Sequence, residues 1–212
     1  NMNFDFTDDQ EQLRDAVRKW VDKAYTFDRR RSIEKSGGFS KEAFAEIAEL
    51  GLGGLYISED DGGLGMGPVE GMVVMEELGR GIVLEPFAQT LIASGLLSGY
   101  APSDVKATWL PKIAAGEALV VLAYQERAAR YNLNMCAARA LKTDVAGDKY
   151  TLTAIKSIVL VGDKADAFLV PAMLDGKMAM FLVERSAAGV VTAGYGTQNG
   201  GRAAELTLTN AP

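Results

Sequence analysis

EDDGGLGMGP, Glu59 to Pro68, holds four glycines in ten residues between two apolar segments. Glycine opens positive φ and lets backbone amides crowd around an anion, so the stretch raises the question of a phosphate cradle. A dinucleotide fingerprint needs G-x-G-x-x-G after a strand and before a helix. Started at Gly63 the pattern reaches Pro68 at its last glycine, and started at Gly65 it reaches Glu70. The Gly-Lys-Ser/Thr of a P-loop is missing, and Glu59, Asp60 and Asp61 would repel phosphate. The stretch therefore reads as a tight connection between two packed helices.

Helical signals flank it on both sides. Thr7 followed by Gln10 reads as a capping box, ahead of an apolar face of Leu13, Val17, Trp20, Val21 and Ala24. Ser40 is placed as an N-cap with Phe39 and Phe44 as a hydrophobic staple; that helix runs through Ile47 and Leu50 to a stop at Gly51. Pro68 suits the first turn of a helix bearing Val69, Met72, Val73, Met75 and Leu78 and ending at Gly79. Phe87 to Leu97 is apolar nearly all round, as in a helix buried within a bundle. Ser103 is read as the cap of a further helix through Val105, Trp109 and Leu110, closed by Pro111.

After Gly116 the texture changes. Leu119 to Tyr124 is a continuous apolar run of the buried-strand type. Strand-like segments recur at 137–143, 150–153, 158–161, 167–171, 178–183, 190–192 and 205–209, with turn signals at 146–148 and 175–177 between some of them. Short strands at such spacing predict a barrel or sandwich. The predicted fold class is thus α+β and multidomain: a helical domain over 1–117, then a β-barrel-like middle domain over 118–212.

Composition narrows the chemistry. The 212 residues carry 22 Lys+Arg against 28 Asp+Glu, a net charge of −6 that argues against nucleic acid or an anionic membrane surface as main partner. The basic run Arg29-Arg30-Arg31 sits among Asp28, Glu34 and Lys35 and reads as a solvated helix end. The single cysteine, Cys136, rules out an internal disulfide and reads as a small buried hydrophobe. The start NMNFDF has no apolar signal segment, and no apolar run reaches the ~20 residues that span a bilayer, so the cytoplasm is the simplest expected compartment. Histidine is absent, which removes Ser-His and Cys-His nucleophiles and the commonest metal ligand. No metal site is expected. Chemistry must rest on carboxylates, lysine, tyrosine, backbone dipoles or a cofactor.

Several stretches, in order, carry a family likeness. IAELGLGGLYISEDDGGLGMG (Ile47–Gly67) with MEELGR (Met75–Arg80) resembles the N-terminal domain of acyl-CoA dehydrogenases. FTDDQEQLRDAVRKWV (Phe6–Val21) resembles that family's opening helix, and WLPKIAAGE (Trp109–Glu117) the segment leading into its middle β domain. GDKYTLTAIKSIVLVGDKAD (Gly147–Asp166) resembles the hairpin that follows. The resemblance implies FAD as cofactor, an acyl-CoA thioester as substrate and oxidation to the 2-enoyl-CoA, with a glutamate taking the α-proton while the β-hydrogen leaves as hydride. It also implies homo- or hetero-oligomers and an electron-transfer flavoprotein as electron acceptor.

Two departures bear on that expectation. The sequence stops where the family would be finishing its β domain. The C-terminal helical bundle that carries the catalytic glutamate is therefore expected to be absent from this chain, through truncation or a missing segment rather than as a natural two-domain protein, and no catalytic residue is assigned. The flavin-binding T-E-P-G-x-G-S-D corresponds to Gln125 through Asn132, with Gln125 in place of threonine and Arg130 and Tyr131 in place of glycine and serine. The family's W-I-T/S-N corresponds to Ile158, Val159, Leu160 and Val161. By this likeness Tyr124, Gln125, Arg130, Tyr131, Ile158 and Leu160 are the candidate cofactor residues, with Arg130 and Tyr131 also facing the substrate. Each has a structural reading beside the functional one: Tyr124, Ile158 and Leu160 as core, and Glu126 paired at the surface with Arg127 or Arg130. The Gln-Glu-Arg-x-x-Arg-Tyr-Asn pattern, with GRAAELTLTN at Gly201–Asn210, resembles small subunits of heteromeric enzymes of the pimeloyl-CoA dehydrogenase type. Such a chain could work as an enzyme subunit or as a catalytically silent structural subunit.

Overall fold

The computed structural model describes residues 3–144 and 146–212; Asn1, Met2 and Val145 lie outside it, so the NMNFDF start is described only from its third residue. The chain divides after Glu117 into two compact units. Among the described residues the first holds six α-helices: α1 (Asp8–Ala24), α2 (Phe27–Lys35), α3 (Lys41–Glu49), α4 (Pro68–Arg80), α5 (Phe87–Tyr100) and α6 (Ser103–Ala114). The second holds, among its described residues, seven strands: β1 (Val120–Leu122), β2 (Arg139–Lys142), β3 (Tyr150–Leu160), β4 (Ala167–Leu174), β5 (Lys177–Glu184), β6 (Val190–Gly196) and β7 (Arg202–Ala211). The α+β class holds, helices first and sheet second.

Local signals in the helical unit act as read. Thr7 and Gln10 form both halves of the capping box. The Ser40 side chain accepts from the Ala43 amide, and the Phe39 and Phe44 rings pack 5.6 Å apart. Gly51 takes φ 83°, the left-handed stop after α3, and Pro68 opens α4. The core gathers Val17, Val21, Ile47, Leu52, Leu55 and Val74 among others.

Four expectations are corrected. Ser103 is the first residue of α6 rather than its cap, which is Pro102, because no side-chain oxygen accepts from the first-turn amides. Pro111 does not close α6, which runs to Ala114, because the buried Trp109, Leu110 and Ile113 hold the last turn in place. The core face of α4 is Gly71, Val73, Val74, Glu77 and Leu78, whereas Val69, Met72 and Met75 lie on its exposed side. And Arg29, within the basic run, is no free helix-end charge: it makes a two-pronged pair with Glu46 at 2.7 and 2.8 Å.

The glycine stretch is a self-bonded turn. Every amide from Asp61 to Gly67 is used within the connection: Gly63 donates to Ser58 O, Leu64 to Gly54 O, Gly65 to Ile57 O and Met66 to Leu55 O, all at 2.7–2.9 Å. Asp61 and Gly62 donate to Ser58 O and Glu59 O, and Gly67 donates to the Glu70 carboxylate. With its donors turned inward, the loop offers a phosphate nothing. The need for glycine is steric instead, since Gly63 packs against the carbonyls of Ile57 and Gly54.

Two buried carboxylates tie the helices together. Glu77 accepts from Arg18 at 2.7 Å and from Arg80 at 3.0 Å, which holds its carboxyl below the usual range despite burial. Glu85 differs: one oxygen accepts from the Ser40 amide at 3.3 Å and the other is buried without a partner. Burial therefore pushes the Glu85 pKa up, against the pull of the Tyr25 hydroxyl and the Ser40 amide. An acid that holds its proton more tightly when folded stabilises fully below its unfolded pKa, about 4.3, and loses that contribution as pH rises through the folded value. Glu85→Gln is accordingly expected to raise Tm at pH 7, with the gain shrinking towards pH 4. Thermal melts of both proteins across that range check it; a gain independent of pH would refute the assignment.

In the second unit the strand order is β1-β4-β2-β3-β7-β6, with β5 on the other edge of β4. β1 and β2 both run parallel to β4, Leu122 opposite Leu169 and Arg139 opposite Met173. The two segments read at 150–153 and 158–161 are one strand, β3, with an irregularity between Lys156 and Val159 against β7. No helix among the described residues is long and apolar enough to cross a membrane.

Candidate functional site

The candidate residues lie where the sheet is interrupted. The chain leaves the β4 edge after Ala123, whose amide donates to Leu169 O at 2.9 Å, and returns at Ala138, whose carbonyl accepts from Met173 at 2.9 Å. The fourteen-residue excursion between these points (about the length at which loops without regular structure are usually functional) carries Tyr124, Gln125, Arg130 and Tyr131. Neighbouring β3 supplies Ile158 and Leu160, and the Ser157 amide donates to Gln125 O at 2.8 Å, fixing one group beside the other.

Two adjoining cavities result. One of about 520 Å³ is lined by Gln125, Arg130, Tyr131, Ile158, Tyr195 and Glu205 among others. The other, about 300 Å³, lies between the excursion and β5 and is walled by Tyr124, Leu133, Met135, Met178 and Met180. Gln125, Glu126 and Arg130 border both. Leu160 lines neither, though it shares its exposed phase with Ile158 on β3.

The core readings of three residues are overturned. Tyr124 follows the end of β1 and is 42% exposed. Ile158 and Leu160 are 56% and 44% exposed. The cause is the irregularity in β3: before it Leu152, Ala154 and Lys156 point inward, and after it Val159 and Val161 do. One extra residue reverses which positions face the core. Ile158 sits at that step with φ 50°, a conformation a β-branched residue rarely accepts. Arg130 also has positive φ, 50°.

Glu126 corrects the remaining reading and exposes a residue the sequence reasoning missed. It is buried, and its partner is neither Arg127 nor Arg130 but Lys156, at 2.8 Å. Its carboxylate also accepts from the amides of Ala137 at 2.7 Å and Ala138 at 3.2 Å. Burial works against its ionisation, but the Lys156 ammonium and the two amides prevail and hold its pKa below the ordinary value. Lys156 is fully buried. Its signal was available: it stands in the inward phase set by Leu152 and Ala154, where a cation needs a buried anion. Arg127 pairs instead with Glu205 at the surface, 3.2 Å away.

Other groups stay open to a ligand. The Gln125 amide nitrogen donates to the Tyr124 hydroxyl at 3.2 Å, while its oxygen is buried without a hydrogen-bond partner. The Arg130 guanidinium makes no ion pair among the described residues, and Tyr131 beside it is 96% exposed. Cys136 Sγ lies 3.4 Å from Pro171 O, and burial raises its thiol pKa, the opposite of a reactive thiolate. Among the described residues no group of acidic or Cys side chains could hold a metal ion.

Comparison with known proteins bears on the whole chain. The family model described as acyl-CoA dehydrogenase, N-terminal domain, matches residues 7–117. The acyl-CoA dehydrogenase FadE27 of Mycobacterium tuberculosis is 26% identical over 212 residues, 99% of this chain and 55% of that protein. The (2S)-methylsuccinyl-CoA dehydrogenase of Cereibacter sphaeroides is 28% identical over 183 residues, 82% of this chain and 33% of that protein. Among solved structures, the ChsE4-ChsE5 complex from Mycobacterium tuberculosis superimposes with TM-score 0.87 at 27% identity, covering 99% of this chain and 56% of that one. The chain thus spans about half the length, or less, of the curated relatives it matches.

Proposed function

Because the chain belongs to the acyl-CoA dehydrogenase family, we propose that it serves in the FAD-dependent oxidation of an acyl-CoA thioester to the 2-enoyl-CoA, as one subunit of a heteromeric enzyme. The observation that carries this reading is the unpartnered Gln125 oxygen, buried beside the exposed Ile158 and the unpaired Arg130. These groups suit an isoalloxazine and its pyrophosphate. The amide of Gln125 both donates and accepts, as the polar edge of the ring requires. Ile158 offers apolar surface that would exclude water from one face, Tyr124 does so from the adjoining cavity, and Leu160 extends the exposed apolar phase of β3 beyond Ile158. Arg130 meets phosphate through charge-assisted hydrogen bonds. The flavin, when bound, supplies the acceptor for a hydride, and the protein supplies orientation and electrostatics.

The base is assigned outside these residues. A thioester α-proton is weakly acidic, so its acceptor must be an unengaged carboxylate shielded from water. Glu126 is engaged by Lys156 and two amides, and Glu205 pairs with Arg127 in contact with water. Neither is suited to the role. Electron-transfer flavoprotein is the proposed electron acceptor, and the solved complex of two chains among the relatives supports a heteromeric arrangement.

A second reading, a catalytically silent structural subunit, is favoured by Arg130 itself. It keeps a left-handed backbone suited to glycine while filling the space a glycine would leave open. Absorbance of the purified intact protein separates the two. The enzyme reading expects a yellow protein bleached by an acyl-CoA; a colourless protein that copurifies with a flavoprotein partner would favour the silent subunit. For the enzyme, Arg130→Ala is expected to weaken FAD or CoA binding by about tenfold, the worth of one charge-assisted hydrogen bond, with little change in Tm. Equal flavin content and equal KM in the variant would contradict the role given to Arg130.

A further inference from the structure

We infer that Glu126 and Lys156 are positioning residues: together they clasp the excursion between Ala123 and Ala138 and so set the place of Arg130. The anion-binding part of this inference rests on the proposed function; the clasp itself rests on geometry alone.

The excursion is bound at both ends by one residue. At the near end the Glu126 carbonyl accepts from the Ala129 amide at 3.1 Å and the Arg130 amide at 3.2 Å, which shapes the turn carrying Arg130. At the far end the Glu126 carboxylate accepts from the amides of Ala137 and Ala138. That draws the returning chain back to the β4 edge, where Ala138 O meets the Met173 amide. Between the ends the backbone makes short-range bonds, Asn132 N to Ala129 O and Met135 N to Asn132 O, and the long-range contacts come from side chains, among them the exposed Arg127–Glu205 pair and Cys136 Sγ to Pro171 O. Opening the carboxylate contact would leave the far end tied mainly by its β4 bond.

Lys156 makes the contact possible. A carboxylate in this buried position would be costly unless compensated, and Lys156 supplies the opposite charge from β3 at 2.8 Å. It also ties the excursion to the strand that presents Ile158, so the two halves of the candidate cofactor surface move as one. A buried ion pair is weak evidence for stability, because an apolar pair of the same volume often does as well. What an apolar pair cannot supply is an acceptor for the Ala137 and Ala138 amides. The pair's chemistry is matched to holding the loop.

Hydrogen exchange and ligand binding on the intact protein test this. Lys156→Met is expected to speed exchange of the Arg130, Ala137 and Ala138 amides by about tenfold or more, the effect expected for a local opening made easier by one such contact. Amides of β7, such as Leu206 and Leu208, should keep their protection. Titration with FAD and with free coenzyme A should show a loss like that of Arg130→Ala, and the double variant should be no worse than either single. Phe168→Leu, an ordinary core lesion, should not reproduce this pattern. Should Lys156→Met fail to fold, Glu126→Gln, equal in size, is read in the same way.

Unchanged exchange in the excursion would overturn the clasp, as would exchange rising equally in the excursion and β7. If the unaltered protein binds neither FAD nor coenzyme A, the proposed function fails, while the exchange pattern still decides the clasp. Binding loss in Arg130→Ala with none in a Lys156→Met protein whose loop has opened would refute the positioning of Arg130.

Discussion

Gly63→Ala is expected to destabilise the helical unit by about 3 kcal/mol, the upper end of overpacking costs. The added methyl would meet the carbonyl oxygen of Ile57 and, at 2.5 Å, that of Gly54. Both are backbone atoms held by hydrogen bonds of their own, to Gly65 and Leu64, so neither can step aside without undoing the turn. The neighbouring glycine provides the control. Gly62 sits at φ 89° with nothing within 4 Å of an added Cβ, so Gly62→Ala should cost only the left-handed strain, about 1 kcal/mol. Denaturant unfolding of the two variants measures the difference. Equal losses would mean that conformational freedom, not close packing, explains the glycines of this loop.

Phe168→Ala should cost the β unit about 3–5 kcal/mol. Phe168 is fully buried in β4, with Val121 of β1 on one side and Val183 of β5 on the other. Strands bonded on both edges have little freedom to shift into the space left behind, which places the cost toward the large end for this chemistry. Chemical denaturation monitored by strand-sensitive circular dichroism gives the value. A loss below about 1 kcal/mol would show that the sheet relaxes around the cavity.

Legibility followed the range of the interaction. The capping box at Thr7 and Gln10, the Ser40 cap with its staple, the Gly51 stop and the Pro68 start each involve residues within five positions of one another. Each was read correctly from the letters. Strand positions were largely legible, but the fusion of two segments into β3 was not, because its irregularity depends on pairing with β7 some fifty residues on. That one irregularity then misdirected the reading of Ile158 and Leu160. The basic run misled for a similar reason: Arg29 finds Glu46 across a turn, and charge counting sees neighbours in sequence only.

The sequence by itself determined the order of helices then sheet, the caps at Thr7 and Ser40, the stop at Gly51, the start at Pro68, the rejection of a phosphate loop and the family likeness. All of these are written in local periodicity, capping chemistry and motif order. Only the tertiary structure decided which groups surround the candidate site. Glu126 and Lys156 stand thirty residues apart, and nothing between them in the chain announces that they touch. A buried charge selects its partner by desolvation, and which groups lose water together is a property of the folded sheet rather than of the order of residues.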